Sequence, residues 1–169
     1  MVGRNETVIK WVLFGLSALA ICLLQGLLQY LVVFGVLPFL FPALVAVLGM
    51  YEGTVSGTAF GLAVGILCDL TIPSAIPCFY TLIFPLVGLV AALIAQFWIP
   101  AGLLCALVSS TAAFAITDLF HTLILALTGH PAWRAAGVVT LRETALTLPF
   151  VIPVFFLLRA VHRKCHQYD

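Results

Sequence analysis

The sequence predicts an all-α integral membrane protein, a bundle of transmembrane helices, and three observations carry that prediction. Of 169 residues, 64% are hydrophobic and only 8% are charged, whereas a soluble domain carries about 25% charged residues. The mean hydropathy is +1.25. Several apolar stretches approach the roughly 20 residues that a bilayer-spanning helix needs. Because a soluble domain of this size could not bury so much apolar surface, we expect one polytopic transmembrane domain over residues 1–169.

The composition also argues against several classes of function. The formal net charge of +1 gives no signal of nucleic-acid binding. The five cysteines are scattered without CxxC or Cys/His ligand spacing, so neither a disulfide framework nor a metal site is predicted. The sequence has no HExxH, Walker loop or dinucleotide fingerprint. We therefore expect a protein that is not an enzyme and binds no cofactor.

The first half of the chain contains three predicted helices. The first is Trp11–Phe34, which is too long for the apolar core of a signal peptide. The stretch Pro38–Leu70 has 33 residues, which is too long for one comfortable span and short for two. Because Tyr51-Glu52-Gly53 interrupts it, we divide it into Pro38–Met50 and Gly53–Leu70. One tilted span with an interfacial lead-in is the alternative.

The second half adds three more predicted helices. The proline-bounded turn Thr71–Pro77 precedes a span at Cys78–Trp98, and Ala101–Leu127 forms the next span. Ala132–Glu143 is a polar connection with a weak signal for a surface-lying amphipathic helix. The last span is Thr144–Val161. The prediction is a six-helix bundle, with five spans as the alternative.

The orientation of the bundle follows from its basic residues. They flank both ends of the apolar part: Arg4, Lys10, Arg159, Arg163 and Lys164. Since cytoplasmic segments are enriched in Lys and Arg, both termini are expected in the cytoplasm, which requires an even number of spans. Arg134 and Arg142 would then lie outside. This order places Glu52 at the inner face and the Ala132–Glu143 connection at the outer face.

Glycines recur at every fourth position from the end of the second predicted helix through the third: Gly49, Gly53, Gly57, Gly61 and Gly65. Residues four apart share a helix face, and small residues there let another backbone approach closely in lipid. We favour packing within the chain over a dimer face or the wall of a ligand channel. Asp69 occupies the next step of this ladder, near the outer face. An acid at membrane depth is costly, so Asp69 is a candidate polar anchor for a partner or a neighbouring helix. A solvated helix end is the alternative.

Other polar residues inside the apolar part carry weaker predictions. Asp118 and His121 are three residues apart, so they share a helix face and are expected to form a structural polar pair. A proton relay is the alternative. Glu52 is expected to be an interfacial acid at a hairpin turn. Glu143 is expected in the solvated first turn of the last helix, where an acid suits the helix dipole.

The pattern as a whole resembles the rod shape-determining protein MreD family. In the first half the resemblance rests on the run Pro42–Gly53, followed by Gly57, Gly61, Gly65 and Asp69-Leu70. In the second half it rests on Phe114, Asp118-Leu119-Phe120-His121, Gly129, Arg142-Glu143, Pro149, Pro153 and the segment Phe155–Arg159 before a basic end. The turn Thr71–Pro77 departs from the family pattern because it lacks glycine.

The resemblance implies a non-enzymatic scaffold of the cell-elongation machinery in the bacterial inner membrane. Such a protein acts with the membrane-anchored protein MreC and, through it, with the elongation-specific penicillin-binding transpeptidase, the RodA glycosyltransferase and MreB filaments. The resemblance also implies a helix arrangement similar to the substrate-binding subunits of energy-coupling-factor vitamin transporters.

Two other functions are the alternatives to a scaffold. A vitamin-binding transporter subunit would couple through an Ala-x3-Ala face on its first helix, whereas Ala18 and Ala20 lie two apart and cannot share a face. A membrane enzyme or proton-coupled carrier would depend on Asp118 and His121.

Overall fold

The computed structural model describes residues 2–28, 38–72, 76–127 and 133–166. These ranges form five helices: α1 (Val2–Leu28), α2 (Phe41–Thr71), α3 (Phe79–Phe97), α4 (Leu103–Leu127) and α5 (Trp133–His166). No β-strand occurs in them. Four segments are long and apolar enough to cross a membrane: Phe41–Thr71, Phe79–Phe97, Leu103–Leu127 and Gly137–Arg163. The predicted all-helical class is confirmed.

The outer surface of the bundle is apolar. Leu23 on α1, Leu82 on α3 and Leu104 on α4 are 67%, 75% and 66% exposed. A water-soluble monomer rarely exposes contiguous apolar patches of this kind, because each would remain in contact with water. Together with the four long apolar helices, this surface shows a multi-pass membrane protein.

Helix α2 is broken at Gly53, where the backbone has φ 80° and ψ −175°. This region of backbone conformation is accessible essentially to glycine alone. The break separates a first arm (residues 41–52) from a second arm (residues 54–71). A Cβ atom added to Gly57 would lie 2.7 Å from the Cα atom of Gly49. Because both glycines are four residues from Gly53, the arms fold back on each other at the predicted interruption.

The first arm of α2 forms the centre of the bundle. Every residue of 41–50 is buried, and Phe41, Leu44 and Leu48 are at most 1% exposed. A helix that is apolar on all sides is stable where protein surrounds it on all sides. The hydrophobicity of this short arm therefore reflects burial inside the bundle.

The contacts of α2 define two ends of the bundle. At one end, the buried side chain of Gln25 on α1 donates a hydrogen bond to the Pro38 carbonyl (2.8 Å) and accepts one from the Leu40 N–H (2.9 Å). At the other end, Glu52 lies 3.3 Å from His162 near the end of α5. The first arm thus runs from the end where α1 stops to the end where α5 stops.

The helix boundaries correct the sequence prediction at α5. Ala132–Glu143 was expected to be a polar connection before a last span at Thr144–Val161, but a single helix runs from Trp133 to His166. This stretch contains Ala, Leu, Arg and Glu, which favour helix, and none of these residues interrupts the backbone hydrogen bonds. Glu143 is therefore an interior residue of α5, and its predicted place in the first helical turn is wrong.

The boundaries of α1, α3 and α4 lie close to those predicted. Helices α3 and α4 begin one and two residues later than expected and end at Phe97 and Leu127. Helix α1 includes the polar residues before Trp11, and its described part ends at Leu28. Residues 29–37, which include the last six residues of the predicted first span, lie outside the described ranges, as do residues 73–75 of the predicted turn.

Candidate functional site: helix packing and polar anchors

The ladder glycines of α2 pack against the backbone of α3. A Cβ atom added to Gly49 would lie 2.5 Å from the Gly88 carbonyl oxygen, and one added to Gly65 would lie 2.6 Å from that of Tyr80. Real Cβ atoms do not approach other atoms this closely, so a side chain at either position would force the helices apart. The two backbones are therefore in direct contact along this face.

The contact of the second arm with α3 continues from Gly65 back toward Gly53. Gly61 faces the Phe84 carbonyl, and Gly88 itself faces the Gly57 carbonyl. Because the α3 residues in contact are also four apart in sequence, a row of α3 carbonyls follows the row of α2 glycines. The contact is reciprocal at Gly88, where a side chain on either helix would clash.

Gly53 does not share this packing. An added Cβ atom there would have no neighbour within 4 Å. Its role is the positive φ that lets α2 reverse. The ladder therefore divides into four glycines that allow close approach and one that forms the reversal.

Asp69, the next step of the ladder, lies at the start of α3. Its Oδ1 accepts a hydrogen bond from the Tyr80 N–H (3.1 Å), and its Oδ2 accepts bonds from the Thr81 N–H (2.8 Å) and the Thr81 hydroxyl (2.6 Å). The first N–H groups of a helix have no partner within that helix and attract negative charge. Cys78, at the N-cap position, is left-handed (φ 63°) and forms no side-chain cap. Asp69 therefore caps α3 from the neighbouring helix.

The opposite end of the bundle carries a second polar contact. Nδ1 of His162 lies 3.3 Å from Oε1 of Glu52, and the Glu52 side chain is 6% exposed. The His162 ring stacks on Tyr51 at 4.8 Å between centroids, and Tyr51 stacks on Phe155 at 6.1 Å. This cluster joins the α2 reversal to the last turns of α5. Glu52 is thus a bridging residue as well as a residue of the hairpin turn.

Asp118 interacts with its predicted partner on α4 and also with α5. It interacts electrostatically with His121 and forms a hydrogen bond with Thr140 on α5. The His121 ring lies 5.8 Å from that of Phe79 on α3. Oδ2 of Asp118 is buried and has no hydrogen-bond partner in the described part of the chain. The main contact of this acid therefore crosses from α4 to α5.

Glu143 lies near the same site. It is half-buried on α5 and interacts electrostatically with Asp118. The expectation of a solvated acid at a helix start is wrong, because α5 extends ten residues before Glu143. Two carboxyl groups, one on α4 and one on α5, thus interact electrostatically across the contact between these helices.

An open groove runs between α4 and α5 on the outside of the bundle. Its apolar part has a volume of about 820 Å³ and is lined by Leu107, Ala112 and Ala115 of α4 and by Ala145 and Leu148 of α5, among others. It continues into a second part of about 440 Å³. The second part is also mostly apolar, but its lining includes Asp118, Thr122, Thr140 and Thr144. The two parts share Thr111 and Ala115.

Comparison with known proteins finds no match to a family model, a curated protein or a solved structure. Within the described ranges, no group of three or more His, Cys, Asp or Glu side chains is arranged to hold a metal ion. The side chains of Gln25, Asp69 and Glu52 make polar contacts with other segments of the bundle. This arrangement can position helices and present a groove to another molecule.

Sequence reasoning missed three residues that carry these contacts. Gln25 lies inside the first apolar run, Thr81 follows the proline turn, and His162 precedes the basic tail. An amide in an apolar run is a signal, because a buried polar group needs a partner. Its partner, the Pro38–Leu40 backbone, is thirteen to fifteen residues away and has no sequence pattern of its own.

Leucine in place of Gly61 should destabilise the bundle. The new side chain would meet the Phe84 carbonyl and the Pro85 Cα atom (3.1 Å), and overpacking of this kind typically costs about 1–3 kcal/mol. The measurement is thermal unfolding in detergent. Gly15→Leu is the matched control, since no atom lies within 4 Å of its added Cβ. Equal unfolding temperatures for the two variants would contradict close packing at Gly61.

Substitutions of Asp69 should remove the cap at the start of α3 and lower the stability of the protein. Leucine removes all three hydrogen bonds, and asparagine replaces one acceptor oxygen with an amide that faces N–H donors. Loss of a helix cap costs about 0.5–2 kcal/mol, so both variants should unfold at lower temperature than wild type.

Thr81→Val provides the graded comparison for Asp69. It removes only the hydroxyl bond to Oδ2, and a single hydrogen bond contributes about 0.5–1.5 kcal/mol. Its effect should therefore be smaller than that of Asp69→Leu. Wild-type stability of Asp69→Leu would show that the carboxylate does not hold α3.

Proposed function

We propose that this chain is a non-enzymatic scaffold of the bacterial cell-elongation machinery, an MreD-type protein that binds MreC in the inner membrane. Through MreC it would help to position the elongation-specific transpeptidase and the RodA glycosyltransferase relative to MreB filaments. The proposal begins from the sequence resemblance, which rests on the α2 glycines, Asp69 and the Asp118–His121 segment.

The observation that supports a scaffold best is that the centre of the bundle is filled. Residues 41–50 of α2 are buried side by side, and the second arm packs on α3 without intervening side chains. A small-molecule site needs a concave space with a few convergent polar groups. Here the central space holds an apolar helix, and Asp69 caps α3. This favours a scaffold over a vitamin-binding subunit, even with a similar helix arrangement.

The proposal also includes six membrane-crossing segments with both termini in the cytoplasm. Its basis is the reversal of α2 at Gly53, which lets one helix contribute two arms. The apolar part of α1, Trp11–Leu27, would be the remaining segment. Basic residues flank both ends of the apolar part of the chain, which favours a cytoplasmic location for both.

The binding of MreC is tested by co-purification. The tagged chain, expressed with MreC of the same organism and extracted in mild detergent, should retain MreC. An unrelated polytopic protein with the same tag is the control. Depletion of the chain in its rod-shaped host should give rounded, wider cells. Absence of MreC from the purified complex, together with normal cell shape after depletion, would contradict the proposal.

The topology is tested with reporter fusions after Ala136 and after Asp169. In the six-segment arrangement α5 crosses the membrane between these sites, so a phosphatase active only outside the cytoplasm should be active at Ala136 and inactive at Asp169. A reporter active only inside should give the reverse result. The same side for both fusions, or an active phosphatase at Asp169, would contradict the arrangement.

A further inference from the structure

The groove between α4 and α5 has features that favour a helix as its occupant. Its floor includes Thr111, Ala112 and Ala115 on α4 and Ala145 on α5. Small side chains let another helix approach closely, and in lipid this contact is a main source of helix association. An acyl chain gains little from such a floor, because the surrounding lipid offers it equally apolar contacts.

The length of the groove fits a spanning helix. Its lining on α4 extends from Leu107 to Thr122, which corresponds to about 22 Å along a helix that rises 1.5 Å per residue. The hydrocarbon core of a bilayer is about 30 Å thick. An occupant that lies along the groove would therefore cross most of the membrane.

The second part of the groove indicates what the occupant would carry. Asp118 lines it. The Asp118 carboxyl bonds to Thr140, but none of the described residues that line the groove has a basic side chain. A carboxylate at membrane depth is costly unless a positive or hydrogen-bond-donating group accompanies it. A cationic or hydrogen-bond-donating side chain on the occupant would complement Asp118.

The depth of Asp118 along α4 favours a helix over a lipid headgroup as the occupant of the groove. Asp118 lies nine residues before Leu127, the last residue of α4, which is about 14 Å along the helix axis. A headgroup amine or hydroxyl lies at the membrane interface. A side chain on a spanning helix can present a donor at this depth.

We propose that the α4–α5 groove receives one transmembrane helix of a partner protein, with a basic or hydrogen-bond-donating side chain of that helix at the level of Asp118. This inference rests on the proposed function, since MreC is the membrane-anchored partner expected there. The small residues determine how closely the partner helix approaches α4 and α5, and Asp118 determines the position of that helix along the groove.

The first experiment fills the groove and measures the amount of MreC retained by the purified chain. Ala112→Trp and Ala145→Trp place large side chains on opposite walls, and Asp118→Leu removes the acceptor. Each should retain about tenfold less MreC, within the range expected for losing one interhelical contact. Leu82→Trp is the matched control, because Leu82 is a 75% exposed residue of α3 that does not line the groove. It should retain MreC as wild type does.

Thermal unfolding of each variant in detergent separates lost binding from lost folding. Ala112→Trp and Ala145→Trp should unfold near the wild-type temperature, because each new side chain points into open space. If both groove-filling variants retain MreC at the wild-type level while wild type binds it, the groove assignment fails and the proposed function stands. If wild type itself retains no MreC, the proposed function fails.

The second experiment identifies the occupant directly. A photo-crosslinking residue is introduced at Ala112 or at Leu82, and the adducts formed in native membranes are sequenced by mass spectrometry. The inference predicts an adduct between position 112 and the membrane-anchoring segment of MreC, with little at position 82. Adducts only with lipid, with a second copy of the chain, or equally at both positions would overturn it.

Discussion

The fold depends on the direct backbone contact between the second arm of α2 and α3. In lipid, the surrounding acyl chains are as apolar as the helix faces, so helices associate through close van der Waals contact and hydrogen bonds. Three glycines of the second arm, together with Gly49 of the first arm and Gly88 of α3, allow this close approach, since each faces a backbone atom at a distance no side chain could occupy. The reversal at Gly53 then places the first arm against the same pair of helices.

Polar groups complete the bundle where helices begin and end. Backbone groups at membrane depth must find partners inside the protein. Gln25 supplies them for the chain entering α2, and Asp69 supplies them for the start of α3. Glu52 and His162 join the α2 reversal to α5. These residues orient the helices around the filled centre, and the groove between α4 and α5 remains open to an occupant.

The sequence predicted the helical class and the break in α2 because both follow from local features. Apolar runs of known length identify helices, and a Glu-Gly step marks an interruption. The division of the glycine ladder was not predictable, because four-residue spacing does not reveal which glycine needs a positive φ. Asp69 was expected to be an anchor, but its partners Tyr80 and Thr81 lie beyond a turn whose course the sequence leaves open.

The differences in the second half of the chain come from the packing of α5 on α4. Glu143 was placed in the solvated first turn of a helix, because polar residues before it resembled a connection. Asp118 was paired with His121 on its own helix face, and it interacts electrostatically with His121 but also forms a hydrogen bond to Thr140 on α5. Once α5 extends back to Trp133, both acids lie between two helices. Contacts of this kind depend on the packing of distant segments, which spacing along one helix does not encode.

The central claim is that α2 folds back at Gly53, and a distance between spin labels tests it most directly. Labels would replace Phe39 and Leu70 in a chain without other cysteines. The Phe39 ring lies 5.5 Å from that of Tyr80, whose N–H bonds to Asp69, so a folded-back α2 places both labels at the same end. A continuous helix would separate them by about 46 Å. A distance below about half that length is the predicted result, and one near the full length would contradict the account.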